Sequence, residues 1–158
     1  MIPTQCTSCG QFINEKRLSC PACGTFVEPS GEHDAMECEH HPGERAIGMC
    51  VVCGKPVCGD CAVRVQEITY CDQPEHQSTA QECTVIHTSD SEFAADAVQR
   101  NLEFAGIQTK VFSMRDHLAL FWFDESAIVR VMVLRSDVQK AIAVLKELQL
   151  LNEQTDAP

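Results

Sequence analysis

The segment Cys38-Glu-His-His-Pro-Gly-Glu-Arg-Ala-Ile-Gly-Met-Cys50-Val-Val-Cys53-Gly-Lys-Pro-Val-Cys58-Gly-Asp-Cys61, followed by Cys71 and His76, decides how the first half of this chain folds. Its thiols and imidazoles come in short-spaced pairs: Cys38 with His41, Cys50 with Cys53, Cys58 with Cys61, then Cys71 with His76. A two-residue gap aims both donors at one ion, and four donors complete the tetrahedron that zinc prefers. Four pairs therefore suffice for two zinc ions. Only four residues separate Cys53 from Cys58, so neighbouring pairs do not easily fold back onto a single ion. Interleaving is easier, with the first and third pairs on one ion and the second and fourth on the other. The last ligand is open at this point, since Cys83 and His87 are alternatives to His76. His40 competes with His41, although the two-residue gap of the other knuckles favours His41.

Moving outward, Cys6-Thr-Ser-Cys9-Gly10 and Cys20-Pro-Ala-Cys23-Gly24 repeat one element. Each glycine follows its turn where a left-handed backbone is tolerated. Two such turns face to face make a third four-ligand site from Cys6, Cys9, Cys20 and Cys23. A redox dithiol would instead open a helix in a βαβ setting, and no such pattern is present. This stretch resembles a zinc ribbon of the small kind found in bacteria.

The order of the eight later ligands resembles the B-box family of cross-braced zinc fingers. That resemblance implies Cys38, His41, Cys58 and Cys61 at one site, and Cys50, Cys53, Cys71 and His76 at the other. B-boxes usually end in two histidines, whereas here Cys71 comes first and His76 follows. The apolar residues of this region, among them Ile47, Met49, Val51, Val57 and Tyr70, are too few to offset chain entropy alone. Bound zinc would add roughly 10 kcal/mol or more. Three structural zinc ions are thus expected, each with its four ligands, which leaves no open position for catalysis.

All 11 cysteines lie between Cys6 and Cys83, and six of the seven prolines precede position 75. No basic and apolar start resembles a secretion signal, and no window suits a membrane span. A cytoplasmic location with reduced thiols is therefore expected, where dense cysteine points to metal rather than disulfides. The net charge of -11 opposes binding to phosphate backbones and to anionic membrane surfaces. A protein partner or a small effector is expected in their place.

Beyond a polar linker at 29–37 and a second at 78–83, the periodicity changes. Thr84 to Thr88 reads as a strand, and Ser89-Asp-Ser-Glu92 as a capping box. A helix to Ala105 follows, with Phe93, Ala97, Val98, Leu102 and Ala105 on its buried face and Gly106 as its left-handed cap. Ile107 to Ser113, Leu118 to Phe123 and Ile128 to Leu134 read as strands. Ser136-Asp-Val-Gln139 caps a last helix that buries Val138, Ala141, Ile142, Leu145 and Leu148. The expected architecture is a set of small zinc-stabilised modules, a zinc ribbon at 1–28 and a B-box-like cross-brace at 38–77. An α+β sandwich follows at 84–151 in the order β-α-β-β-β-α, then a disordered tail at 152–158.

The C-terminal half resembles a bacterial family of signal-transducing proteins with a ferredoxin-like or PII-like fold. The shared features are the opening strand, Leu102-Glu-Phe-Ala-Gly-Ile107 and the late strand entering the Ser136 cap. The resemblance implies effector- or partner-linked regulation and no reaction. Phe121 and Phe123 read as core with Trp122 on the opposite face, Arg130 as solvated or ion-paired, and His33, His87 and His117 as structural or exposed. No nucleophile elbow or phosphate loop is present. The expected function is a non-enzymatic regulatory or interaction protein, with a homo-oligomer through the C-terminal domain as one form. A redox or zinc sensor is the second reading, and a nucleic-acid-binding ribbon the third.

Overall fold

A computed structural model describes residues 4–13, 17–27, 36–114 and 128–150. The expected strand Leu118 to Phe123 (with Trp122), His117, His33, most of the 29–37 linker and the 152–158 tail lie outside the described residues. The chain divides into two compact units, Met1–Gln81 and Glu82–Pro158.

The first unit is built from very short strands around its cysteines. β1 (Thr4–Gln5) pairs antiparallel with β2 (Phe12–Ile13). β3 (Gly48–Met49) pairs with β4 (Pro56–Val57). β5 (Ala62–Val65) pairs with β6 (Ile68–Cys71). Gln66 and Glu67 form the two-residue loop of that last hairpin, with φ of 49° and 63°. Both values are left-handed, as a type I′ turn requires, although neither residue is the Asn or Gly that usually supplies it.

The ribbon segment does not stand apart from the segment that follows it. Thr25 bridges to Gly48, and the Thr69 N–H donates to the Cys23 carbonyl at 2.8 Å. Residues 20–27 thereby extend the hydrogen bonding of β3 and β6. A helix closes the unit, α1 (Pro74–Glu82), where the sequence suggested a connector from residue 78. Pro74 opens it, a position where a missing N–H costs nothing. Only Thr79 and Ala80 are buried on it, so it carries no apolar stripe for periodicity to detect.

In the second unit β7 (Cys83–Ser89) leads into α2 (Glu92–Phe104), then β8 (Thr109–Ser113), β9 (Val129–Leu134) and α3 (Val138–Glu147). The sheet order is β7-β9-β8, with β9 central and antiparallel to both neighbours. β7 and β8 are thus parallel, joined through α2 and split by β9. Val129, Val131 and Val133 pack with Val98 and Leu102 of α2 and with Ala141 and Leu145 of α3 in one core.

Several local expectations are corrected. The helix cap is Ser91, whose Oγ accepts from the Ala94 N–H at 3.3 Å, while Ser89 Oγ accepts from the Ser91 N–H at 3.0 Å. β7 pairs with β9 as far as Ser89, so the helix starts two residues later. Phe93 is 84 % exposed, and α2 buries Ala95 with Val98 and Leu102. At its end Gly106 has φ of 75° and donates to Glu103, while Ile107 donates to Leu102, the bonding of a Schellman cap. Ser136 lies within a 3-10 turn, Arg135–Asp137, and Asp137 precedes α3 without a side-chain cap bond. Leu148 is 45 % exposed because α3 has ended before it.

Candidate metal centres

Three of the four-residue turns share one backbone geometry. The Gly10 N–H donates to the Cys6 carbonyl at 2.9 Å, Gly24 to Cys20 at 2.9 Å and Gly54 to Cys50 at 2.8 Å. These glycines have φ of 75°, 75° and 71°, which a side chain would resist. Ala62 closes the turn at Cys58 with the same bond at 2.9 Å. Backbone N–H groups of these turns donate to the sulfurs of Cys20, Cys50 and Cys58.

These turns bring the predicted ligands together in three tetrads. The first holds Cys6, Cys9, Cys20 and Cys23, the second Cys38, His41, Cys58 and Cys61, the third Cys50, Cys53, Cys71 and His76. Within each, the donor atoms lie within 4.8 Å of one another. The second and third interleave along the chain, as their spacing suggested. At the third tetrad His76 Nδ1 lies 2.9 Å from Cys71 Sγ and 3.7 Å from Cys50 Sγ. Cys83 and His87 are on β7 in the other unit. At the second, His41 Nδ1 is 3.2 Å from Cys61 Sγ and 3.4 Å from Cys58 Sγ. His40 is exposed and approaches Cys61 together with Asp72.

The separations test whether zinc fits. Cys6 and Cys23 sulfurs are 3.7 Å apart, Cys9 and Cys20 3.5 Å, Cys38 and Cys61 3.7 Å, Cys53 and Cys71 4.0 Å. A disulfide would place them about 2.05 Å apart. A tetrahedron with Zn–S bonds of about 2.3 Å has edges of about 3.8 Å. The donor sets therefore suit zinc in size and in chemistry.

The protonation of the thiols points the same way. Burial pushes the Cys61 thiol up to about 12, and the adjacent Cys38 and Cys58 add to this. Burial likewise raises Cys71. A hydrogen bond from Cys53 holds Cys50 down at about 5. Without a cation, the third tetrad thus favours a thiolate at Cys50 beside thiols whose pKa is raised, Cys53 and Cys71. A divalent ion reverses that preference, and loading must release protons.

Beyond the ligands, Thr25 Oγ1 lies 3.4 Å from Cys23 Sγ and accepts from Arg64 Nη2 at 3.4 Å. A side chain of β5 thus reaches the first tetrad through Thr25, a link that no spacing in the sequence announces. In the second unit Arg130 is fully buried on central β9, opposite Thr88 and Phe112, so of its two expected surroundings, solvated or ion-paired, the solvated one does not hold. His87 is also buried, and burial lowers its pKa.

A family model described as the B-box zinc finger matches residues 33–67. That span contains the interleaved ligands from Cys38 to Cys61. No curated protein and no solved structure matches the chain. The chain thus contains a zinc-finger segment similar to the B-box model, within a unit carrying three Cys/His tetrads able to hold zinc. Its second unit contains strands and helices, and among the described residues no helix is long and apolar enough to cross a membrane.

Proposed function

We propose that the chain is a non-enzymatic zinc-dependent interaction protein of a reducing, cytoplasmic compartment, holding three structural zinc ions. The observation that carries this reading is the completeness of the tetrads. Each offers four side-chain donors to one point, so a bound zinc keeps no position for substrate or water. The metals then shape surfaces, and those surfaces meet a protein partner or a small effector. The acidic balance of -11 favours a neutral or basic partner over nucleic acid. The β7-β9-β8 sheet, with its α2 crossover, is consistent with a ferredoxin-like regulatory domain related to bacterial signal-transducing proteins.

Native mass spectrometry tests the metal half, with three zinc ions per chain expected. Affinity capture with the zinc-loaded chain tests the other half. Recovery of a partner whose binding is lost on chelation supports the reading, and zinc-independent hydrolase or transferase activity in the purified protein would overturn it. A second reading, zinc release on oxidation, is favoured by the partial exposure of Cys9 and Cys53. Zinc retention under mild peroxide until global unfolding would end it.

A further inference from the structure

One sulfur of the second tetrad is shared with a further set of donors. Cys61 Sγ lies within 4.8 Å of a ring nitrogen of His40 and of a carboxylate oxygen of Asp72, and those two lie within the same distance of each other. His40 and Asp72 are exposed. Within the tetrad itself His41 is exposed, while Cys38, Cys58 and Cys61 are buried. The second tetrad is thus sulfur inside and imidazole outside, with two more donors reaching Cys61 from solvent.

The fold holds both of these donors near the metal centre. Backbone N–H groups of His40 and His41 donate to the Cys38 sulfur, so the knuckle that presents His41 also fixes the backbone of His40. Asp72 follows Cys71, a residue of the third tetrad, and its carbonyl accepts from Gln77 Nε2 of α1 at 2.9 Å. Among the described residues no Lys or Arg side chain pairs with the Asp72 carboxylate.

A tetrahedron over one sulfur, one nitrogen and one oxygen has edges of about 3.5 Å, which two exposed side chains reach by small rotations. Three protein donors leave the fourth position open, unlike the closed tetrads. Carboxylate oxygen suits zinc less well than thiolate sulfur. An ion on Cys61, His40 and Asp72 therefore gains by moving inward. It keeps its bond to Cys61, exchanges His40 for His41, and exchanges Asp72 for Cys38 or Cys58. The reverse path lets an ion leave the tetrad without losing every donor at once.

We propose that His40, Cys61 and Asp72 form an outer zinc site through which metal enters and leaves the second tetrad. This rests on the reading that the second tetrad holds zinc. Native mass spectrometry first counts zinc on the full chain, with three ions expected. Cadmium is then added to the zinc-loaded chain. Amide resonances of Cys38, His41, Cys58 and Cys61 follow its replacement of zinc at the second tetrad, with those of Cys6, Cys9, Cys20 and Cys23 as the reference. His40→Ala and Asp72→Asn should each slow replacement at the second tetrad at least about tenfold and leave the first tetrad unchanged. Asp72→Glu, which keeps the carboxylate, should retain most of the wild-type rate. All three variants should keep three zinc ions, since neither residue belongs to a tetrad. Unchanged rates in both His40→Ala and Asp72→Asn, or equal slowing at the first tetrad, would overturn the proposal with the zinc count intact. A His40→Ala chain holding only two zinc ions would also overturn it, by making His40 a ligand of the tetrad itself. A wild-type chain without zinc in the second tetrad would overturn the underlying reading as well, and would show as a count below three before any exchange is followed.

Discussion

The Met49 N–H donates to the Gly24 carbonyl at 2.7 Å, joining the second knuckle of the first tetrad to the strand that enters the third. Residue 24 tolerates this approach because it lacks a side chain. A Cβ there would collide with the Met49 carbonyl oxygen, and the backbone φ of 75° already disfavours one. The first and third tetrads are therefore coupled through main chain.

Gly24→Ala should destabilise the first unit by about 3 kcal/mol or more, combining left-handed strain with a backbone clash. Gly10 has the same φ, but a Cβ there would meet only Gln5 Nε2 at 3.7 Å. Gly10→Ala should cost no more than about 1–2 kcal/mol. Thermal melts of the zinc-loaded variants compare the two, and equal losses would show that the Gly24–Met49 contact contributes nothing.

Removing zinc with a strong chelator should unfold the first unit and leave the second folded. The second has its own core of Val131, Val133, Leu102 and Leu145, with no tetrad residue in it. Amide resonances of residues 84–114 and 128–150 should persist while those of residues 4–76 collapse toward random-coil positions. Simultaneous loss of both sets would contradict two independent cores.

His76→Ala should lower the zinc count by one, because it removes a donor 2.9 Å from Cys71 Sγ. Cys83→Ala should leave the count at three, although it trims a fully buried side chain and weakens the second unit by about 1 kcal/mol. Metal stoichiometry by native mass spectrometry checks both. A zinc lost with Cys83 would reassign the fourth ligand of the third tetrad.

The second unit should lose stability on acidification through His87. Burial favours the neutral imidazole and lowers its pKa, and Nδ1 has no hydrogen-bond partner among the described residues. The folded state binds fewer protons than the unfolded one, so stability rises with pH. It is fully present above about pH 6.5, the unfolded value, and falls as the pH drops from there toward the lower folded pKa. His87→Leu should flatten that slope. Urea titrations followed on second-unit resonances at several pH values measure it, and an unchanged slope would show that His87 is not its source.

How much of this was legible in the sequence differs between the halves for a physical reason. Metal ligation is local and quantised: a two-residue gap, a following glycine and a donor type define each knuckle before folding. That is why the cysteines and histidines paired by spacing lie together in the three tetrads, and why the short Cys53–Cys58 connection pointed to interleaving. The helix end at Gly106 was legible likewise, since a left-handed cap has a residue signature. The hairpin loop at Gln66–Glu67 was not, because the turn lacks the Asn-Gly pair that marks it. Helix α1 was missed for want of an apolar face.

What only the tertiary structure decided is which side of each element meets which neighbour. Helical spacing placed Phe93 among apolar residues, but packing against β9 selected Ala95, Val98 and Leu102 and turned Phe93 outward. Nothing in the pattern around Arg130 distinguished a solvated position from a buried one, because burial depends on where β9 falls in the sheet order. The spacing of the cysteines defined each knuckle on its own. The hydrogen bond from Met49 to Gly24 joins knuckles 25 residues apart, and such a contact exists only once the chain has brought the two backbones together.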